Sequence, residues 1–184
     1  LIPEVPEDLF MNGLTELIKV DSDWVPRGEN QSLYLRPFLF SSSEFVAARP
    51  SEEYTFAIVT SPVGELYSKA VKVKVEQSFT RSASGGVGYA KAAGNYGGSF
   101  LATHNAVKEG FNQVLWTDHA EHNYLEEAGT MNVAFVLNNK LVTPILSDRI
   151  LAGITRDSIL TLAREWRITI EERRIKVDEL ITAL

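Results

Sequence analysis

Residues 88–97 read Gly88-Tyr89-Ala90-Lys91-Ala92-Ala93-Gly94-Asn95-Tyr96-Gly97, and the reading of this run decides the fold. A lysine flanked by small residues is badly placed for a solvated surface and well placed for a crowded pocket. A tyrosine follows it five residues later. The run lies in a glycine-rich stretch, residues 85–98, which is the first place to test for a nucleotide. A dinucleotide fingerprint counted from Gly86 and Gly88 needs glycine at 91, where Lys91 stands. A P-loop needs Gly-Lys followed by Ser or Thr, a triplet that the sequence lacks. Both readings fail, and taken without context the glycines mark tight turns.

Outward from this run, residues 6–20 carry Phe10, Leu14, Leu17 and Ile18 at helical spacing, with Pro6 suited to a first turn. A polar loop over 21–31 leads to a strand at 33–36 that ends at Pro37, with Leu33 and Leu35 on one face and Tyr34 and Arg36 on the other. Residues 56–60 read as a buried strand followed by a turn at Ser61-Pro62-Val63-Gly64. Val71, Val73 and Val75 alternate with charged residues as a half-exposed strand. Residues 100–109 read as a helix stopped by Gly110. Strands follow at 114–116 and 133–137, the latter turning at Asn138-Asn139 into 141–143. The spacing of Ile159, Leu162, Ala163 and Trp166 predicts a helix over 153–166. Ile168 and Ile170 begin another strand, and Val177, Leu180, Ile181 and Leu184 mark a last helix. The class is α+β, mixed α and β, in two lobes. Two parts are expected, 1–78 and 85–184, joined by a linker at 79–84.

The chain has 184 residues, with 18 Lys+Arg against 24 Asp+Glu for a net charge of −6, and 45% hydrophobic residues. This composition excludes intrinsic disorder, and the acidic balance argues against nucleic-acid binding by general electrostatics. Without cysteine there are no disulfides, iron–sulfur clusters or cysteine nucleophiles. No apolar run reaches the roughly 20 residues of a membrane span, and the first residues lack a signal peptide's basic start and apolar centre. A cytoplasmic protein with no membrane partner is expected. The chain starts at Leu1 and stops at Leu184 on an apolar helical residue. That reads as a piece of a longer protein, or as a core whose ends are removed.

Asp118-His119-Ala120-Glu121-His122, followed by Glu126 and Glu127, has a passable metal-ligand composition, but its spacing belongs to no strong zinc pattern. A solvated acidic loop is the preferred reading, and no metal is expected. His104 reads as a packing residue, and no Gly-x-Ser-x-Gly elbow supports a serine triad.

Three further phrases complete the picture: Leu33-Tyr34-Leu35-Arg36-Pro37, Glu126-Glu127-Ala128-Gly129-Thr130-Met131-Asn132, and Leu151-Ala152-Gly153-Ile154-Thr155-Arg156. In this order, with Lys91-x-x-Gly94-Asn95-Tyr96, the chain resembles the branched-chain amino-acid aminotransferases of the fold-type IV pyridoxal-phosphate enzymes. D-amino-acid aminotransferases and aminodeoxychorismate lyases share that fold but carry a different sequence after their lysine.

The resemblance implies pyridoxal 5′-phosphate as cofactor and transamination between Leu, Ile or Val and 2-oxoglutarate, giving branched-chain 2-oxo acids and glutamate. It makes Lys91 the Schiff-base lysine, which must act unprotonated and therefore desolvated. Tyr96 holds the cofactor's phenolic oxygen and Glu127 its pyridine nitrogen, while Glu126 faces solvent. Ile154 and Thr155 open a helix whose first N–H groups suit a phosphate, a point the pattern makes without the family. Arg156 adds charge there or is a plain surface cation. Tyr34, Arg36 and Thr130 match residues near the substrate carboxylate. Phe45 and Ala47 match a loop that reaches across a homodimer interface. In the family a phosphate-clamping arginine lies upstream of Leu1, and a Gly-Ser-Gly-Thr loop lies downstream of Leu184. The chain by itself is therefore expected to bind the cofactor poorly, and a non-catalytic fragment stays open as an alternative.

Overall fold

A computed structural model describes residues 2–183. The chain divides into two compact units, one ending at Ser68 and one beginning at Lys69. The division precedes the 79–84 linker expected from sequence. The strand at 73–76 pairs in parallel with one forty residues later in the second unit, so it cannot belong to the first.

In the first unit, helix α1 (Glu7–Val20) is followed by a short 3₁₀ turn (Ser22–Trp24) and an antiparallel ribbon of β1 (Ser32–Ser41) and β2 (Tyr54–Val63). The helix packs on one face of the ribbon through Phe10 against Phe56, with ring centroids 5.8 Å apart. Its end is held by the Thr60 hydroxyl, which donates to Asp21. Both strands run longer than the sequence suggests. β1 passes through Pro37, and the expected turn at Ser61-Pro62-Val63 is instead the end of β2, paired with Ser32–Tyr34. In a two-stranded ribbon each strand is an edge, so a proline nitrogen can face outward without breaking a ladder bond. The expectation that residues 56–60 are buried is corrected. They are half-buried or exposed, because a single helix covers only one face of the ribbon.

The second unit holds two three-stranded sheets. The first is ordered β3 (Val73–Glu76), β4 (Gln113–Thr117), β5 (Leu125–Ala128), with β3 parallel and β5 antiparallel to β4. Between β3 and β4 lie the glycine-rich stretch, the short helix α2 (Ala93–Gly97) and α3 (Phe100–Lys108). Period-2 alternation makes β4 serve two layers: Val114 and Trp116 pack on Ala102 and Ala106 of α3, while Leu115 joins Leu125, Val142 and Ile175 on the other side. β5, buried at every position, is a strand the sequence reading missed. Its two adjacent glutamates hid the pattern, since a strand enclosed on both faces has no polar alternation to display.

The second sheet is β6 (Phe135–Leu137), β7 (Lys140–Pro144), β8 (Ile170–Arg173). Asn138 and Asn139 both take positive φ, 49° and 60°, as their tight hairpin requires. Helix α4 (Ile154–Glu165) leads into β8, and α5 (Val177–Ala183) follows. Leu184, counted in the last helix, lies outside the described residues. The face that α4 buries overlaps the predicted stripe only at Ala163. Leu160 and Ala163 are enclosed, whereas Ile159, Leu162 and Trp166 remain exposed. The helix meets the unit along the 160/163 line, and Arg156 fixes that line by donating to the carbonyl of Pro144 and to Glu172. Arg156 is thus a buried tie between α4 and its neighbouring strands, not a surface cation. Among the described residues no helix is long and apolar enough to cross a membrane.

Candidate active site

A cavity of about 500 Å³ opens in the second unit, and Lys91, Tyr96, Glu127, Thr130, Ile154 and Thr155 all line it. The six residues come from three places: α2 with the turn before it, strand β5 with the turn after it, and the start of α4. Helical or strand spacing could not have shown this, since the positions span more than sixty residues of chain.

Lys91 ends the glycine-rich turn. Its Nζ donates to the Tyr96 hydroxyl at 3.3 Å and lies 5.6 Å from the centre of that ring. Asn95 stitches the turn by donating to the carbonyls of Val87 and Ala90 at 2.8 and 2.9 Å, which gives the Gly94-Asn95-Tyr96 phrase a structural role. The expectation of a desolvated lysine is corrected: Lys91 is exposed here, because small neighbours leave its stem uncovered in a cavity open to solvent. Gly88 permits the turn by approaching Arg149. A side chain on it would lie 2.7 Å from the Arg149 carbonyl and 2.6 Å from Cβ of Ser82. Gly88→Ala is therefore expected to displace the turn and cost about 1–3 kcal/mol, checked by thermal unfolding.

Glu127 is the electrostatic centre of the cavity. Its Oε1 pairs with Arg81 at 2.5 Å, both side chains being about 95% enclosed. Its Oε2 accepts from the N–H of Leu151 and from Asn132, each at 3.3 Å. Burial outweighs the attraction of the Arg81 guanidinium and pushes the Glu127 carboxyl up to about 7. Arg81 escaped the sequence reading because it sits in the run expected to be a linker. The available signal was Glu127 itself, since an enclosed carboxylate demands a cation.

Glu126 does not face solvent as expected. It is buried on the opposite side of β5, where Arg149 Nε pairs with it at 2.5 Å. Burial raises its carboxyl too. Between about pH 4.5 and 7 the folded protein keeps a proton on Glu127 that the unfolded chain has released. The Glu127 contribution to stability is fully present below that window and falls as pH rises through it, by up to about 3 kcal/mol. Unfolding of the cofactor-free protein at pH 5 and pH 8 reads this fall, and Glu127→Gln is expected to flatten it.

Helix α4 begins after Gly153 with no side-chain capping bond, and its first intrahelical bond runs from Asp157 N–H to the Gly153 carbonyl at 3.0 Å. The amides of Ile154 and Thr155 thus present donors and the positive end of the helix dipole to the cavity. An amine, a phenol, a carboxyl and this helix end surround one space of the size of a small aromatic phosphate. That donor set fits pyridoxal phosphate.

The acidic loop is ordered from within. Asp118 accepts the N–H groups of Glu121, Asn123 and Tyr124, and the Thr117 hydroxyl contacts His122 Nδ1 at 3.1 Å. In the first unit, Tyr34 and Arg36 do share a face, with Arg36 donating to the Tyr34 hydroxyl at 2.9 Å. Phe45 and Ala47 lie in the irregular segment between β1 and β2, where Arg49 stacks 4.0 Å from the Phe45 ring centre.

Residues 1–183 match the amino-transferase class IV family, and the chain belongs to it. It is 48% identical over 186 residues to a Staphylococcus epidermidis protein named "Probable branched-chain-amino-acid aminotransferase", covering 99% of this chain and 52% of that one. The fold is that of the branched-chain aminotransferase from the archaeon Thermoproteus uzoniensis, solved with norvaline. The TM-score is 0.83 at 27% identity, over 98% of this chain and 59% of the other. It is also similar to a T.th. branched-chain amino acid aminotransferase complexed with N-(5′-phosphopyridoxyl)-L-glutamate, at TM-score 0.78 and 25% identity over 97% and 56% of the two chains. The chain spans about half the length of the curated relatives it matches.

Proposed function

We propose that this chain carries the cofactor-binding part of a branched-chain aminotransferase, which exchanges an amino group between Leu, Ile or Val and 2-oxoglutarate. The observation that carries this reading is the convergence of Lys91, Tyr96, Glu127 and the start of α4 on one cavity. The relatives' names support the branched-chain substrates, and the T.th. complex with a phosphopyridoxyl-glutamate adduct supports glutamate as the second amino acid.

Pyridoxal phosphate, when bound, supplies an aldehyde carbon for the amino group and a ring that accepts electrons from the substrate's α-carbon. The residues do the rest. Lys91 Nζ would hold the cofactor and, as a free amine, would take the proton from the substrate's Cα. Tyr96 Oη, already within reach of Nζ, holds the phenolic oxygen and with it the ring. Glu127 holds a proton on the ring nitrogen. Arg81 keeps the carboxyl aimed, and Leu151 and Asn132 complete its shell. The amides of Ile154 and Thr155 hold the phosphate. Thr130 offers its hydroxyl to the substrate carboxylate. Phe45 and Ala47 serve the neighbouring subunit of a cytoplasmic homodimer, a role that suits the fully exposed Val46 between them.

Borohydride trapping of pyridoxal phosphate on the full-length protein, with mapping of the modified peptide, tests the reading. The label is expected on Lys91. A label elsewhere, or amino transfer confined to D-amino acids, overturns it.

A further inference from the structure

We infer that Asp148 and Arg149 form a latch that positions the lysine-bearing turn, a role that rests on the proposed part of Lys91. These two residues lie in the segment between β7 and α4 and do not line the cavity. They nevertheless hold the turn along its length. The Asp148 carboxylate accepts the N–H of Gly85 at 2.6 Å and its carbonyl accepts that of Tyr89 at 3.0 Å. The Arg149 carbonyl accepts from the Ser82 hydroxyl at 3.0 Å and from Arg81 at 3.1 Å. The Arg149 guanidinium donates to Ser84 Oγ at 2.7 Å through Nη1 while its Nε pairs with Glu126. Gly88 packs against the Arg149 backbone with no room for a side chain.

The latch has a fixed end. Glu126 is enclosed on β5, immediately beside Glu127, and two residues beyond Arg149 the Leu151 amide binds Glu127. One short segment therefore ties the lysine turn, the ring-nitrogen carboxylate and the start of α4 to a common frame. The turn has few ties of its own, chiefly those from Asn95 to the carbonyls of Val87 and Ala90. It is rich in glycine, mostly exposed and lacks regular structure from 77 to 92. Without an external hold its entropy would spread Nζ over many positions, and misplacement by about 1 Å can cost as much as 10²-fold in rate.

Arg149→Met in the full-length protein is the test. Amide exchange of the 84–91 peptide in the cofactor-free protein is expected to rise roughly tenfold, with the β8–α5 peptides unchanged. The kcat per bound cofactor should fall roughly tenfold while KM for L-leucine stays within about twofold. Arg149→Lys can reach Glu126 but cannot reproduce the fork to Ser84. It should restore thermal stability and leave the turn fast-exchanging. If Arg149→Lys restores both, or if Arg149→Met lowers stability with turn exchange and kcat unchanged, the latch is refuted and the pair is only a structural tie. Should Arg149→Met fail to fold, Asp148→Asn and Ser84→Ala carry the same readouts. Exchange is read without cofactor, so a failure of the Lys91 assignment in the trapping experiment is distinguishable from a failure of the latch.

Discussion

Lys91→Ala in the full-length protein is expected to abolish the long-wavelength absorbance of bound pyridoxal phosphate and to lower amino transfer by about 10³-fold or more. The size follows from the two duties placed on one nitrogen. Positioned proton transfer alone contributes about 10² to 10⁴-fold, and the covalent anchor is lost at the same time. Among the described residues no second amine lines the cavity at Lys91's end, where its neighbour is the Tyr96 hydroxyl 3.3 Å away. The substitution removes an exposed side chain from a turn whose shape rests on Asn95 and Gly88, so the fold should be unaffected. Absorbance spectra and a leucine/2-oxoglutarate assay, with unfolding as a control, check this. Retained absorbance would take Lys91 out of its role.

Arg81→Leu is expected to cost about 3–5 kcal/mol at pH 8, a Tm drop on the order of 10 °C. Arg81 and Glu127 are each almost fully enclosed and pair at 2.5 Å. Deleting the cation leaves the enclosed carboxylate with one amide and one carboxamide donor. Because Glu127 already titrates near 7, the loss must depend on pH. At pH 5.5 the carboxyl is protonated in both proteins, and Arg81 has less charge to answer, so the deficit should shrink. Arg81→Leu/Glu127→Leu should recover a good part of it, since replacing both partners is far less costly than orphaning one. Thermal unfolding of the four proteins at the two pH values forms the cycle. A deficit independent of pH would show that Arg81 acts by packing and not through its charge.

The site was legible in the sequence to the extent that its chemistry sits in short runs. Lys91 and Tyr96 stand five residues apart, Glu127 and Thr130 three apart, and Ile154 and Thr155 open a helix whose pattern marks its own beginning. Arg81 and Asn132 were not legible as a shell for Glu127, because a serine-rich run with one arginine looks like a linker until its partner is known. Glu126 was misread for the complementary reason. Solvent is the ordinary place for a lone glutamate, and only the three-dimensional fold puts Arg149 behind it.

What the sequence determined by itself was the class of elements and which residues are candidates for the site. Helical and strand periodicities are local, and so is the hairpin by which Asn138-Asn139 turns. What only the tertiary structure decided was charge and position: which carboxyl is enclosed, which arginine answers it, and which face of α4 is buried. Those depend on desolvation and on contacts between residues far apart in the chain, as in Arg81 with Glu127 and Arg149 with Ser84. No local pattern records how much water a folded chain will leave around a given group.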